Sequence, residues 1–225
     1  MKRPALILLL LTSILQAGDL KFEKDIYEAH AGFKDIEVTN DFKFTNTGSK
    51  PIKIKHVEPG CSCITVEFLY GKATYGTGES GVMRVRFKLD NSQGTIDKPI
   101  GIFLATDPDD QPSTQVTFRI HIPIAVSLDK KTLNWDIDSQ PETQSIRVNM
   151  NYDKPVHVTS VSTTDTNFST EIVTIEKGKT YDVRVTPKST SKGGLSAILI
   201  QSDIEIDRFR SQQAYARILR PAAEP

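Results

Sequence analysis

The sequence predicts an all-β protein with two tandem β-sandwich domains behind an N-terminal signal peptide. Three observations predict it: apolar and polar residues alternate after residue 18, turn-forming residues separate the alternating runs, and a weak repeat relates the two halves of the chain. A chain of 225 residues is long enough for two domains of ordinary size. With 38% hydrophobic and 25% charged residues, it is too apolar for a disordered chain and too polar for one that crosses a membrane many times.

The first 17 residues have the layout of a signal peptide. Lys2 and Arg3 precede an apolar run that begins at Ala5 and ends before Gln16-Ala17, which is shorter than a membrane span requires. We expect cleavage after Ala17 and export to the periplasm, the cell surface or the medium. Leu15 is bulkier than the residue usual at that position, so an uncleaved anchor is the alternative, and membrane association is expected only in that case.

Strict alternation marks the two clearest strands, Val82–Leu89 and Val116–Ile124. Alternate side chains of a strand point to opposite faces, so one face of each strand should be buried and the other wet. The residues predicted to face inward are Met83, Val85, Phe87 and Leu89 in the first strand, and Val116, Phe118, Ile120, Ile122 and Ile124 in the second.

Turn signals occur about every 8–12 residues, the spacing typical of a sandwich. They are Asn46-Thr47-Gly48, Pro59-Gly60, Gly76-Thr77-Gly78, Asn91 to Gly94, and Asp107-Pro108-Asp109-Asp110.

The internal repeat predicts the domain division. Lys50-Pro51-Ile52 recurs as Lys154-Pro155-Val156, Gly78 recurs as Gly178, and Gly94 recurs as Gly194, in the same order. The predicted domains are 18–124 and 125–220, with a disordered tail over 221–225. No Gly/Ser-rich or Pro-rich spacer separates them, which favours a stiff, end-to-end pair.

In the second domain, the first strand should contain Leu133 and the core anchor Trp135. The last strand should cover Ala214–Leu219.

The first domain resembles a bacterial domain-of-unknown-function family, number 1573, whose fold is immunoglobulin-like of the Hydin type. The resemblance is carried by Phe42-Lys43-Phe44-Thr45-Asn46-Thr47-Gly48, Pro51-Ile52-Lys53-Ile54, Cys61-Ser62-Cys63-Ile64-Thr65, Gly78-Glu79-Ser80-Gly81 and Thr106-Asp107. Ser62, Ile64 and Thr77 depart from the family pattern. The match covers about residues 20–124, and the second domain shares only the skeleton. The resemblance implies an immunoglobulin-like sandwich for the first domain, and the shared skeleton predicts a second immunoglobulin-like sandwich. It also implies export and a binding or structural role, and it adds no catalytic residues.

Cys61 and Cys63 form the one constellation with chemistry in it, and three interpretations stay open. A disulfide across one residue needs a bend, because residues i and i+2 of an extended strand lie about 6.6 Å apart; Pro59 and Gly60 could supply it. A soft-metal site for copper or zinc would use both thiolates and His56. Thiols that act as small hydrophobes are the third interpretation.

The parity of the flanking strands gives two further expectations. If Ile64 faces the core, Cys61 and Cys63 point together to the opposite face, which favours reactive or bridged thiols over packed ones. His56 shares the parity of Ile52 and Ile54, so we expect a buried histidine more than a ligand.

The remaining features narrow the function class. Basic and acidic residues number 28 each, so no phosphate-binding surface and no nucleic-acid partner are expected. No nucleophile elbow, HExxH or phosphate-binding glycine loop is present, and we expect no catalytic residues and no resident cofactor. The expected function is an exported, non-enzymatic module that binds another protein or an envelope component. The alternative is a soft-metal-binding or thiol-active envelope protein that uses Cys61 and Cys63.

Overall fold

The computed structural model describes residues 19–220, so the predicted signal peptide and tail lie outside the described residues. Nearly all regular structure is strand, which confirms the all-β prediction. The strands are β1 (Leu20–Phe22), β2 (Ile26–His30), β3 (Glu37–Asn46), β4 (Ile52–Pro59), β5 (Ile64–Phe68), β6 (Thr74–Tyr75), β7 (Ser80–Lys88), β8 (Gly94–Leu104), β9 (Thr114–Ile122), β10 (Val126–Leu128), β11 (Thr132–Asp136), β12 (Gln144–Met150), β13 (Val158–Thr163), β14 (Phe168–Glu176), β15 (Thr180–Pro187), β16 (Gly194–Ser202) and β17 (Ser211–Leu219). The helices are a 3₁₀ turn, Leu69–Gly71, and one α-turn, α1 (Asp207–Arg210). Within residues 19–220, no helix has the length and apolar character that crossing a membrane requires.

The strands form four sheets, two from β1–β9 and two from β10–β17. The orders are β1-β3-β7-β5 and β2-β9-β8-β4-β6 for the first set, and β10-β12-β15-β14 and β11-β17-β16-β13 for the second. Without the two-residue β6, the orders correspond strand for strand. β11 runs parallel to β17, and β16 runs antiparallel to it. The two sets are therefore sandwiches with the same strand order.

The chain divides into two compact units. Among the described residues, the first comprises 19–28, Thr39–Phe87 and Asp97–Arg119. The second comprises Ala29–Val38, Lys88–Ile96 and residues 120–220. The second unit thus includes three segments that the sequence assigned to the first domain, Ala29–Val38, Lys88–Ile96 and residues 120–124.

Alternation predicts the inward residues of β7 and β9 correctly, with one exception. Met83, Val85, Phe87 and Leu89 are fully buried, as are Val116, Phe118, Ile120 and Ile122. The expectation for Ile124 is wrong, because its side chain is 42% exposed. β9 ends at Ile122, and Pro123, which has no N–H to donate to a ladder, follows it.

Trp135 anchors the core of the second sandwich, as predicted. It is 4% exposed, its Nε1 donates to the carbonyl of Glu142 at 2.8 Å, and its ring lies 5.8 Å from that of Phe168. Its strand, β11, is not the first of this sandwich, because β10 precedes it. β10 has three residues, which is too short for alternation to be recognised.

Gly78 and Gly178, which the sequence repeat pairs, have the same backbone conformation. Their φ angles are 74° and 78°, in the left-handed region that favours glycine. Each lies in the turn that leads into the corresponding strand, β7 or β15. The two glycines therefore allow the same left-handed turn in the two sandwiches.

Candidate functional site

Cys61 and Cys63 form a disulfide in the turn between β4 and β5. Their Cα atoms lie 5.2 Å apart, closer than an extended strand would hold them. The Ile64 N–H donates to the carbonyl of Cys61 at 3.3 Å, and the Gly60 N–H donates to that of Pro99 at 3.1 Å. The bend that closure requires is thus a hydrogen-bonded turn held against β8.

The parity argument for the cysteines does not apply, because β5 begins at Ile64 and both cysteines precede it. Both are partly exposed. In the bridged state neither sulfur is a thiolate, so the pair offers no anionic ligand to a metal. It offers a disulfide that an external thiolate can attack.

The expectation of a buried His56 is wrong, because its side chain is exposed. The register of β4 against β8 shifts between Ile54 and His56, so a bulge reverses the parity that Ile52 and Ile54 establish. His56 instead stacks on Phe103, with ring centroids 4.3 Å apart. Over residues 19–220, no group of three or more His, Cys, Asp or Glu side chains is arranged to hold a metal ion.

A second candidate site, not expected from the sequence, is the edge strand β14. It is the last strand of its sheet and pairs with β15 on one side. Its nine residues make it the longest of the eight strands that end a sheet in the described chain; the others have two to six. Folded proteins usually keep such edges short, because an edge exposes unpaired backbone N–H and C=O groups.

β14 also exposes apolar side chains. Ile172 is 37% exposed and Ile175 is 53% exposed. Ile172 lies opposite the buried Val183, so it forms the rim of the core at the open edge. Ile175 lies where the register shifts between Thr174 and Glu176. The strand therefore combines an open backbone with an apolar rim.

The outer face beside β14 is polar. Hydroxyl groups and one ion pair line a shallow depression of about 460 Å³ there. Its lining residues are Thr143, Ser145, Ser169, Thr170, Glu171, Arg184 and Thr186. Glu171 and Arg184 lie opposite each other in the β14–β15 ladder, and their Oε2 and Nη1 atoms are 3.6 Å apart. A segment added along β14 would find hydrogen-bonding groups on this face and apolar groups on the other.

One strand further into the sheet, an ion pair fixes β12 to β15. Arg147 donates to both carboxylate oxygens of Asp182, at 2.9 and 3.1 Å. These hydrogen bonds hold the pKa of the Asp182 carboxyl below its usual range. The sheet behind β14 is therefore tied together independently of its edge.

Sequence reasoning missed this edge because β14 does not alternate cleanly. Five of its nine residues are β-branched, which favours a strand, and this composition is the signal that could have found it. The exposure that makes Ile172 and Ile175 noteworthy depends on which strand ends the sheet, and a single sequence does not give that order.

Residues 20–119 match the family described as "Protein of unknown function (DUF1573)", which confirms the resemblance of the first domain. The resemblance of the second domain stays a prediction. No curated protein matches the chain at a significant level.

Several similar solved structures span most of the chain, and two of them illustrate the similarity. A protein of unknown function from Porphyromonas gingivalis W83 is 13% identical, with 89% of this chain and 99% of that one covered and a TM-score of 0.34. The YadV chaperone is 10% identical, with 89% and 100% covered and a TM-score of 0.34. Similarity at this level carries no information about function.

Proposed function

We propose that this chain, whose residues 20–119 match the DUF1573 family, is an exported, non-enzymatic envelope protein that binds another protein by accepting one of its β-strands along β14. The single observation that carries the proposal is that β14, the longest sheet-ending strand in the described chain, also exposes two isoleucine side chains, Ile172 and Ile175.

The chemistry of the edge restricts the partner to an extended polypeptide. The open side of a strand presents N–H and C=O groups in alternation, and only another extended backbone matches that pattern along its length. Affinity would come from the added ladder, and selectivity from alternate side chains against Ile172 and the polar outer face. We expect the partner segment to be a strand with apolar residues at every second position.

Sequence features support the other parts of the proposal. The layout of residues 1–17 supports export, and the lack of recognisable catalytic motifs supports a binding role. The equal numbers of acidic and basic residues favour a protein partner over nucleic acid.

A matched pair of substitutions tests the edge. Ile175→Lys places a charge on β14, whereas Leu195→Lys makes the same kind of change at a 63% exposed residue of β16, which lies between β17 and β13. Edge lysines oppose strand addition, and both positions are exposed enough for the variants to fold. The full mature chain would be immobilised, incubated with envelope extract, and its bound proteins quantified by mass spectrometry.

We expect a partner that wild type and Leu195→Lys retain and that Ile175→Lys loses by about tenfold or more. A partner retained equally by Ile175→Lys, or lost with Leu195→Lys, would contradict binding along β14.

The disulfide turn supports a second candidate function, thiol–disulfide exchange with an envelope thiol. The bridge encloses one residue, so it constrains the unfolded chain little, and both cysteine residues are partly exposed. An attacking thiolate would form a mixed disulfide with one cysteine and release the other as a thiolate.

Intact mass after equilibration with defined glutathione ratios tests this candidate. Exchange at Cys61–Cys63 should give mixed disulfides that Cys61→Ser/Cys63→Ser lacks. If the native protein instead has free thiols and stoichiometric copper or zinc, the soft-metal alternative replaces exchange.

A further inference from the structure

The first unit contains a cleft of about 230 Å³ that neither the disulfide nor the β14 edge uses. It lies beside the 3₁₀ turn Leu69–Gly71, between that turn and strands β3 and β7. Its apolar lining consists of Phe44, Leu69, Tyr70, Tyr75, Gly81 and Val82.

The floor of the cleft is rigid. The rings of Phe44 and Tyr75 meet edge to face with centroids 4.8 Å apart, and the Tyr75 hydroxyl donates to the carbonyl of Lys72 at 3.0 Å. A side chain at Gly81 would collide with both rings, so glycine is required there for the strand to pass. The two aromatic side chains are therefore held in place before any ligand arrives.

Tyr70 extends from the edge of the cleft into solvent. It is 98% exposed, and its backbone is left-handed, with φ 66° and ψ 13°. Gly71, which follows, is left-handed as well, with φ 61°. A non-glycine residue in this region is unfavourable, and such residues concentrate at ligand-binding loops. The turn thus holds an exposed aromatic ring beside the cleft, although the left-handed backbone that places it there is unfavourable for tyrosine.

The polar groups around the cleft carry no net charge. Lys43 and Lys72 are balanced by Glu23 and Glu79. Lys72 pairs with Glu79, which also accepts from the Gly76 N–H at 2.8 Å, and these contacts hold the pKa of the Glu79 carboxyl below its usual range.

Hydroxyls add uncharged donors and acceptors to this rim. The Thr45 and Ser80 side chains lie 2.8 Å apart, oxygen to oxygen. The rim therefore offers both kinds of hydrogen-bonding group without favouring a cation or an anion.

We propose that this cleft binds a neutral saccharide, with one sugar ring packed against the phenol of Tyr70. A sugar presents C–H groups on its faces and hydroxyls around its rim, which matches an aromatic surface bordered by uncharged, acidic and basic partners. A charged ligand would meet equal numbers of like and opposite charges. A wholly apolar one would cover the Thr45 and Ser80 hydroxyls and the Lys72–Glu79 pair without replacing their hydrogen bonds to water. This site is independent of strand addition along β14.

The test titrates the full mature chain with cellohexaose, maltohexaose and hexa-N-acetylchitohexaose, which are neutral, and with oligogalacturonate as the charged comparison, by calorimetry and by amide NMR shifts. Tyr70→Ala removes the ring, and Tyr70→Phe keeps it. Because the side chain is exposed, neither change should alter the unfolding midpoint. Tyr215→Ala, at a partly exposed tyrosine of β17, is the matched control.

We expect saturable binding of at least one neutral oligosaccharide, with shifts at Leu69–Val82. Tyr70→Ala should weaken binding by about tenfold or more, while Tyr70→Phe, Tyr215→Ala and Ile175→Lys should bind as wild type does. The proposal is overturned if no neutral oligosaccharide binds, if oligogalacturonate binds better, or if Tyr70→Ala binds as tightly as wild type. Because Ile175→Lys leaves the cleft intact, failure of the β14 proposal would not change these outcomes.

Discussion

β5 and β14 occupy the same place in their sandwiches, yet they are very different edges. Each is the last strand of its sheet, beside β7 or β15. β5 has five residues and β14 has nine. β5 has a disulfide turn before it and the left-handed Tyr70 after it, whereas β14 continues past an irregular register to Glu176.

The difference teaches that strand order alone does not decide what an edge can do. The two edges differ at their starts, because a disulfide-bridged turn precedes β5 and no disulfide lies beside β14, whereas a left-handed residue follows both strands, Tyr70 after β5 and Gly178 after β14. A short edge resists the addition of a foreign strand, and a long apolar one invites it. We therefore assign strand addition to β14 and ligand binding beside β5.

The largest expected loss of stability follows a substitution in β7, the strand that pairs with β5. Phe87 is 1% exposed and lies opposite Ile64, the first residue of β5. Phe87→Ala should lower the free energy of unfolding by about 3–5 kcal/mol, because it removes a buried ring and leaves a cavity. Chemical denaturation measures the loss, and amide exchange should accelerate in β5 more than in β14. Equal acceleration in both strands would break the comparison.

Substitution of Gly78 or Gly178 should give the next largest loss of stability. Nothing lies within 4 Å of a Cβ built on Gly78, whereas a Cβ on Gly178 would lie 2.7 Å from the Cβ of Pro155. Gly78→Ala should cost about 1–2 kcal/mol for its left-handed backbone, and Gly178→Ala about 1–3 kcal/mol more for the collision. Denaturation of both variants checks the difference, which equal losses would contradict.

The disulfide should contribute less to the free energy of unfolding than the changes at Phe87 and Gly178. Cys61→Ser/Cys63→Ser should lower the free energy of unfolding by about 2 kcal/mol or less, because the bridge closes a very short loop. Amide exchange should accelerate at the start of β5 and stay unchanged in β14. A loss as large as that of Phe87→Ala would show that the bridge is a main structural support.

The smallest effect concerns two ion pairs at corresponding places. Asp41 of β3 accepts from Arg84 of β7 at 2.7 and 2.8 Å, and Arg147 of β12 donates to Asp182 of β15. Hydrogen bonds from arginine lower the pKa of both carboxyls. Each pair therefore stabilises the fold above the unfolded pKa of aspartate, about 3.9, and this contribution is lost as the pH falls through the lowered value.

Because both pairs are partly exposed, Asp41→Asn or Asp182→Asn should each cost about 0.2–1 kcal/mol at pH 7. The difference from wild type should shrink towards pH 2, as denaturation at several pH values would reveal. A cost that grows on acidification would contradict the assigned cause.

The main strands could be predicted from the sequence, but the two candidate binding sites could not. Alternation located β7 and β9 because each has one buried face. It failed for His56, where a bulge reverses parity, and for Ile124, where Pro123 follows the end of the strand. Ile175 and Tyr70 were missed because their exposure depends on which strand ends a sheet and on one left-handed backbone angle, and neither has a periodic signal.

The most direct test of the central claim is amide hydrogen exchange of the full mature chain, alone and with the partner retained by the Leu195→Lys control. Strand addition along β14 should slow exchange at amides between Ser169 and Ile175, because their open side gains hydrogen bonds, and should leave β5 unchanged. Protection that falls on β5, or on any surface that leaves β14 unaffected, would contradict the account.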